Sequence, residues 1–406
     1  MRTIHINKLI ALLLLAAIGC TQYACKKSKS GGPVITGVRA STAAPNDSTL
    51  TLAGPGQVIV IKGANLASTT KVLFNGYPAY INPALFADNN IIVTIPADMP
   101  FGLLSADDLN TIKVITPDGT ATYTFPIIPS AAHITGMSNE DALPGDRVTI
   151  YGNSFFFVKK VIFPGGIEVT SNLTSNNAGN QLQVTVPNGV TKGGPITVQT
   201  IYGSATSVLL FNDLSTGVLH NSDNVSNFSW GCDVVTDASL FPGGRGSYNR
   251  MTFAGINGGD WGWWNGGRSL NTNSAQWIPA ANLNDELASY ALKFEINLKT
   301  PWSAGKLFIV KDGTWTYVAL YSPWLNADGS TTTFTTNGWQ TVTIPLTSFK
   351  GKDGSGNDGM GAVTPSLKAL VGGGAGAIDL YFINNGTTTI EKFDMAVDNI
   401  RIVKIK

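Results

Sequence analysis

The chain has 406 residues, with 27 basic and 26 acidic side chains and a net charge of +1. Only 13% of its residues are charged, so it lacks the concentrated basic field that a nucleic-acid partner requires. A hydrophobic fraction of 43% excludes a disordered chain, and 45 glycines among frequent Thr and Asn describe many short strands joined by tight turns.

The N-terminus reads as a targeting segment. Arg2, His5 and Lys8 precede an apolar run over 9–19, too short for a bilayer span of about 20 residues. The run ends in Ala17-Ile18-Gly19-Cys20, similar to a bacterial lipobox. Residues 1–19 are therefore expected to be a lipoprotein signal peptide, with Cys20 lipidated. Cys25 is the alternative lipidation site, and a plain secretory signal is the blander reading. Two or three acyl chains on that cysteine give a stable membrane anchor, where one alone binds marginally. Residues 20–32 form a polar tether. Cys232 is then the sole cysteine of the folded part. It cannot build a disulfide framework, and it is expected to be a packed apolar residue, with nothing in the sequence placing His220 beside it.

Two related segments follow. VITG (34–37), GQVIVIKGANL (56–66) and KVLFNG (71–76) match HITG (133–136), GDRVTIYGNSF (145–155) and KVIFPG (160–165). Further on, IIVTIP (91–96) matches LQVTVP (182–187). The repeat length is about 90–100 residues, and each unit alternates short strands with turns, the pattern of an antiparallel β-sandwich. The Phe155–Phe157 run is assigned to core or a domain interface. From about residue 214 the texture changes. Strands are expected at Tyr290–Leu298, Gly305–Val310, Thr314–Tyr321, Trp339–Pro345, Ala377–Phe382 and Met395–Val403, with a turn or two of helix at 282–288. These predict one jelly-roll sandwich.

All nine tryptophans fall after residue 229, three of them in GGDWGWWNGG (258–267). A glycine-flanked Trp cluster reads as an exposed stacking surface suited to sugar rings. Read as an extended segment, it puts Trp261 and Trp263 on one face and Trp264 on the other. Asp260, Asn265, Arg268 and Asn271 are candidates for reading sugar hydroxyls, with turn capping as the alternative. Trp339 is expected in the core and Trp277 as a loop anchor, while Trp302, Trp315 and Trp324 are possible added subsites.

The ITG opening, the GxxVxIxGxxL/F run and the VxFxG strand resemble the IPT/TIG family of immunoglobulin-like domains, over 33–128 and 131–212. GWQTVTIPL (338–346) and VDNIRI (397–402) resemble two strands of jelly-roll carbohydrate-binding modules. Together the chain resembles the surface glycan-binding proteins of the Bacteroidota called SGBP-B, with 214–406 as the C-terminal glycan-binding domain. That resemblance implies an all-β protein of two tandem Ig-like β-sandwiches, acting as spacers, followed by a jelly-roll carbohydrate-binding sandwich. It also implies a polysaccharide ligand of β-glucan type, xyloglucan by the family's name, an outer-membrane lipid anchor at the cell surface, and a SusC/SusD-like TonB-dependent transporter as partner. The family's aromatic platform falls on Trp230 and on Trp263-Trp264 of this sequence.

Glycoside hydrolysis needs two carboxylates flanking the bond. After residue 214 the glutamates are Glu286, Glu295 and Glu391, and none has a suggestive partner. Three histidines, His5, His133 and His220, are too dispersed for a metal site. Asp398 is the one residue considered for a structural Ca²⁺. No catalytic residue, metal or cofactor is expected. The alternatives are an adhesion or scaffold protein using the Trp cluster to bind protein and, behind it, a weak glycoside hydrolase.

Overall fold

The computed structural model describes residues 31–406, so the expected signal peptide and the lipidation candidates Cys20 and Cys25 lie outside the described residues. The described residues divide into two compact units, the first ending at Ser130 and the second spanning Ala131–Lys406.

In the first unit two four-stranded antiparallel sheets enclose one core. One sheet orders Val34–Ala40, Val58–Ala64, Asn90–Thr94 and Phe86–Ala87. The other orders Tyr77–Pro78, Lys71–Phe74, Thr111–Thr116 and Gly119–Thr124. Strict alternation drives this layering: in Thr111–Thr116, Ile112, Val114 and Thr116 are buried and the residues between them half-buried.

The second unit opens with a sandwich of the same plan. His133–Met137, Arg147–Asn153, Gln181–Thr185 and Thr174–Ser175 form one sheet; Ile167–Val169, Val158–Phe163, Gly194–Thr200 and Gly203–Phe211 form the other. Val148, Ile150, Phe155, Val161, Phe163 and Val198 fill its core. The repeated GxN/S-Leu/Phe motif has a physical cause. A Cβ on Gly63 would collide with the carbonyl of Val34, and one on Gly152 with that of His133. Two residues later Asn65 and Ser154 turn through φ 57° and 55°, which drops Leu66 and Phe155 into their cores.

The last domain is a two-sheet β-sandwich of jelly-roll type. Its larger sheet orders Asp233–Val235, Tyr248–Ile256, Ile390–Lys404, Tyr290–Leu298 and Gln340–Pro345, with Val218–His220 also paired to Ile390–Lys404. Its smaller sheet orders Phe228–Gly231, Ser269–Thr272, Ile378–Ile383, Lys306–Lys311 and Thr314–Tyr321. Leu307, Ile309, Leu380 and Phe382 of the smaller sheet meet Leu292, Phe294, Met395 and Val397 of the larger in one core. The expected strands fall within a few residues of these, and two 3-10 turns, Ala280–Asn282 and Leu287–Ser289, replace the expected helical turn. The strands Val218–His220, Phe228–Gly231, Asp233–Val235, Tyr248–Ile256 and Ser269–Thr272 were not foreseen, nor was the short helix Leu367–Val371, started by Ser366, whose Oγ accepts from the Ala369 amide at 3.1 Å.

Within this second unit the Ig-like sandwich is pinned to the last domain by a buried charge network. Arg401 donates to both oxygens of Glu295 at 2.8 and 2.9 Å and to Oε2 of Glu140 at 2.9 Å. Lys293 pairs with the other oxygen of Glu140. Arg245 binds Asp141 at 2.9 Å, and the Asn399 amide donates to the same carboxylate at 3.1 Å. Glu140, Lys293, Glu295 and Arg401 are all buried.

Cys232 is buried, and burial pushes its thiol up to about 12. The structure links His220 to it through Asn249, which the sequence did not indicate. His220 Nε2 lies 2.6 Å from Asn249 Oδ1, and the Asn249 side chain also hydrogen-bonds the thiol. With the thiolate suppressed, the trio is a packed polar contact rather than a nucleophile.

Candidate functional site

The smaller sheet has an unusual outer face. In a two-layer sandwich that face normally meets water, so one residue in two should be polar. Here Phe308, Val310, Val318, Tyr381 and Ile383 lie on it and form a second buried cluster, separate from the main core. What covers them is tryptophan: Trp263 and Trp315 pack on this cluster. Trp263 stacks on Tyr381 with ring centroids 3.9 Å apart and planes 20° apart. Trp315 stacks on the same Tyr381 at 5.8 Å, and Trp261 leans on Phe308 at 5.7 Å. Trp230, on the edge strand Phe228–Gly231, lies 6.1 Å from Trp263, and Trp264 stands edge-on to Trp263 at 5.5 Å and 83°. The result is a continuous aromatic surface in which Trp230, Trp261 and Trp264 remain 45%, 45% and 59% exposed.

The loop that carries three of these rings is not extended. The Trp263 amide donates to the Trp261 carbonyl at 2.7 Å, Asn265 N to Gly262 O at 3.0 Å, and Arg268 N to Asn265 O at 3.2 Å. Alternation therefore does not set the ring directions. Successive turns do, and they aim Trp261 and Trp263 at the same aromatic floor. Asp260 holds the loop shut: Oδ1 accepts from the Gly262 amide at 2.7 Å and Oδ2 from Arg268 at 2.9 Å. Those hydrogen bonds keep the Asp260 carboxyl below its ordinary range. Arg268 also lies over the Phe253 ring, 5.9 Å from its centroid. Asp260 and Arg268 thus bind each other, while Asn265 stays exposed at the loop tip. Asn271 is buried, and its amide donates to the Trp230 carbonyl at 3.2 Å and to Ser269 Oγ at 3.1 Å, fixing the edge strand. Gly231 has φ 123°, and a Cβ there would strike the Ser269 carbonyl, so only glycine follows Trp230 this closely.

The nine indoles separate by where their N–H groups go. Trp277, Trp302, Trp324 and Trp339 donate to the carbonyls of Gly376, Gly305, Gly305 and Phe241 at 2.7–3.1 Å. Trp339 is buried, as expected; Trp277, read as a loop anchor, is buried too, and Trp302 is sealed in the core rather than open as a subsite. Trp230, Trp261, Trp263, Trp264 and Trp315 make no such bond to any described residue, and all five belong to the surface patch. Tyr381, Phe308 and Asp379 were not foreseen as parts of the site. The apolar runs 307–310 and 380–383 carry the signal, because both faces of a two-layer sheet are apolar there. Asp379 lies beneath the rings, accepts from the Gly313 amide at 2.7 Å and hydrogen-bonds Tyr381; burial raises its carboxyl to about 6.

Comparison with known proteins finds similar domains and a similar fold. Residues 211–404 match the model of the surface glycan-binding protein B xyloglucan binding domain, and residues 33–127 match the IPT/TIG domain. The fold is similar to the crystal structure of surface glycan-binding protein PbSGBP-B from Prevotella bryantii, with a TM-score of 0.73 and 22% identity over 93% of this chain and 100% of that one. It is also similar to SGBP-B from a complex xyloglucan utilization locus in Bacteroides uniformis, with a TM-score of 0.52 and 20% identity over 92% and 99%. An IPT/TIG domain-containing protein of Bacteroides ovatus is 27% identical over 209 residues, 48% of this chain but only 42% of that relative's length. Residues 211–404 are thus a domain of the surface glycan-binding protein B xyloglucan-binding kind, carried behind an IPT/TIG domain at residues 33–127.

Proposed function

We propose that this protein is a non-catalytic, lipid-anchored receptor on the outer membrane that captures a β-glucan-type plant polysaccharide, xyloglucan first, and hands it to a SusC/SusD-like TonB-dependent transporter. The observation that carries the reading is the set of five surface tryptophans whose N–H groups bond to no described residue, laid on a buried aromatic floor. β-Linked pyranose chains present flat C–H faces to such rings and hydroxyls to free indole N–H groups. The glycan-contact residues are Trp230, Trp261, Trp263, Trp264 and Trp315, with Asn265 at the rim. Asp260 and Arg268 act as positioning residues. Binding without hydrolysis is supported by the carboxylates at hand: Asp260 is engaged by Arg268, and Asp379 is buried under Tyr381, so neither flanks an open bond.

Affinity electrophoresis in gels of xyloglucan, mixed-linkage β-glucan and glucomannan tests this. The wild-type chain is expected to be retarded by at least one of them. Trp264→Ala and Trp230→Ala should each weaken binding about three- to tenfold, since one stack contributes roughly 0.5–1.5 kcal/mol beyond its area. Their melting temperatures should stay near wild type. No retardation in any glycan would overturn the reading, and retention of a protein partner instead would favour the adhesion alternative.

A further inference from the structure

The second unit holds an open cleft of 480 Å³ between its Ig-like sandwich and the last domain, within the size range of small-ligand sites. One wall is the outer face of the sheet that contains Arg147–Asn153 and Gln181–Thr185; the other is formed by 242–243 and 337–340. Tyr151 stands on the first wall, 40% exposed. Gly136 lies beneath its ring, close enough that a Cβ would meet Tyr151 Cδ2 at 3.8 Å. The tyrosine hydroxyl makes no hydrogen bond to a described residue, and neither do the side-chain amides of Asn337 and Gln340. Gln183 Oε1 accepts from Arg147 Nε and Nη2 at 3.1 and 2.9 Å, which leaves its amide N–H groups to donate.

The chemistry of this lining is selective. One arginine is tied up by an amide and stands beside Asp146, so an anion finds no free cationic clamp. A flat phenol and three carboxamides suit a neutral ligand rich in hydroxyls. The walls are also held in place: the Thr341 amide donates to the Ser138 carbonyl at 2.9 Å, the Glu140 amide to Thr341 Oγ1 at 2.8 Å, and the ion network lies behind them. A cleft that is already ordered spends less free energy on ordering when it binds.

We propose that this interdomain cleft is a second carbohydrate-binding site, in which Tyr151 stacks on a sugar ring while Gln183, Asn337 and Gln340 bond its hydroxyls. It rests on the glycan-receptor reading and adds a contact remote in sequence from the tryptophan surface. With two sites on one chain, a long polysaccharide is held more tightly than a short oligosaccharide.

The test uses the full chain and calorimetric titration with oligosaccharides of whichever glycan retards the wild type. The triple variant Trp230→Ala/Trp261→Ala/Trp264→Ala, which removes all three exposed rings of the tryptophan surface, should keep a residual weak isotherm. Adding Tyr151→Ala/Gln183→Ala should weaken that residue about tenfold or abolish it. On its own, Tyr151→Ala/Gln183→Ala should leave the stronger isotherm intact and reduce affinity for polymer more than for oligomer. A residual isotherm indifferent to Tyr151 overturns the second site while leaving the tryptophan surface standing, as does a wild type with a single isotherm that the cleft variant does not alter. A wild type that binds no glycan sinks both.

Discussion

Asp379 shows how one buried group under an exposed surface governs local stability. Its carboxyl keeps a proton to about pH 6, because burial outweighs the hydrogen bonds from Gly313 and Tyr381 and Asp312 adds repulsion. An unfolded chain releases that proton near pH 3.9. Between these values the folded state binds more protons, so this group's stabilising contribution is full below about pH 4 and is lost as pH rises through 6. Asp379→Asn removes the titration and can still accept from Gly313. Thermal melts of the two proteins should nearly coincide at pH 4, with the variant gaining on wild type by pH 7. Parallel curves across that range would show that Asp379 is ionised throughout.

The turn-rich segment 259–268 and the strands Lys306–Lys311 and Ile378–Ile383 show what was legible in the sequence and what was not. The Trp cluster between glycines was plain as a composition signal, and so was the repeated GxN/S-Leu/Phe turn, because each needs particular residues at a particular backbone geometry. Ring directions were not legible. They depend on turns closed by Asp260 and Arg268, and on Tyr381 and Phe308 from strands about 120 and 50 residues away. Arg268→Ala leaves every ring in place but frees the Asp260 clamp. We expect a loss of glycan affinity of roughly three- to tenfold from added ordering cost, with a small drop in melting temperature. An unchanged dissociation constant would mean the aromatic floor alone fixes the loop.

At the scale of the molecule, the charge network makes the second Ig-like sandwich and the last domain one body. A buried pair that loses one partner leaves the other charge uncompensated, at a cost of about 3–5 kcal/mol. Glu140→Ala strands Lys293 in this way and takes one of the arginine's contacts. Its unfolding free energy should fall by an amount of that order, and unfolding should split into separate steps for the two domains. A single transition with wild-type midpoint would show that the joint is held by other contacts.

The partition of the indoles gives the protein its own optical reporter. The four rings whose N–H groups bond backbone carbonyls, three of them buried and Trp324 half-buried, lie apart from the patch, whereas the five of the surface patch are open to solvent or in contact with rings that are. A bound sugar chain excludes water from the second set only. Intrinsic emission is therefore expected to shift to shorter wavelength on titration, with the exposed fraction protected from iodide quenching and the sealed fraction acting as a constant background.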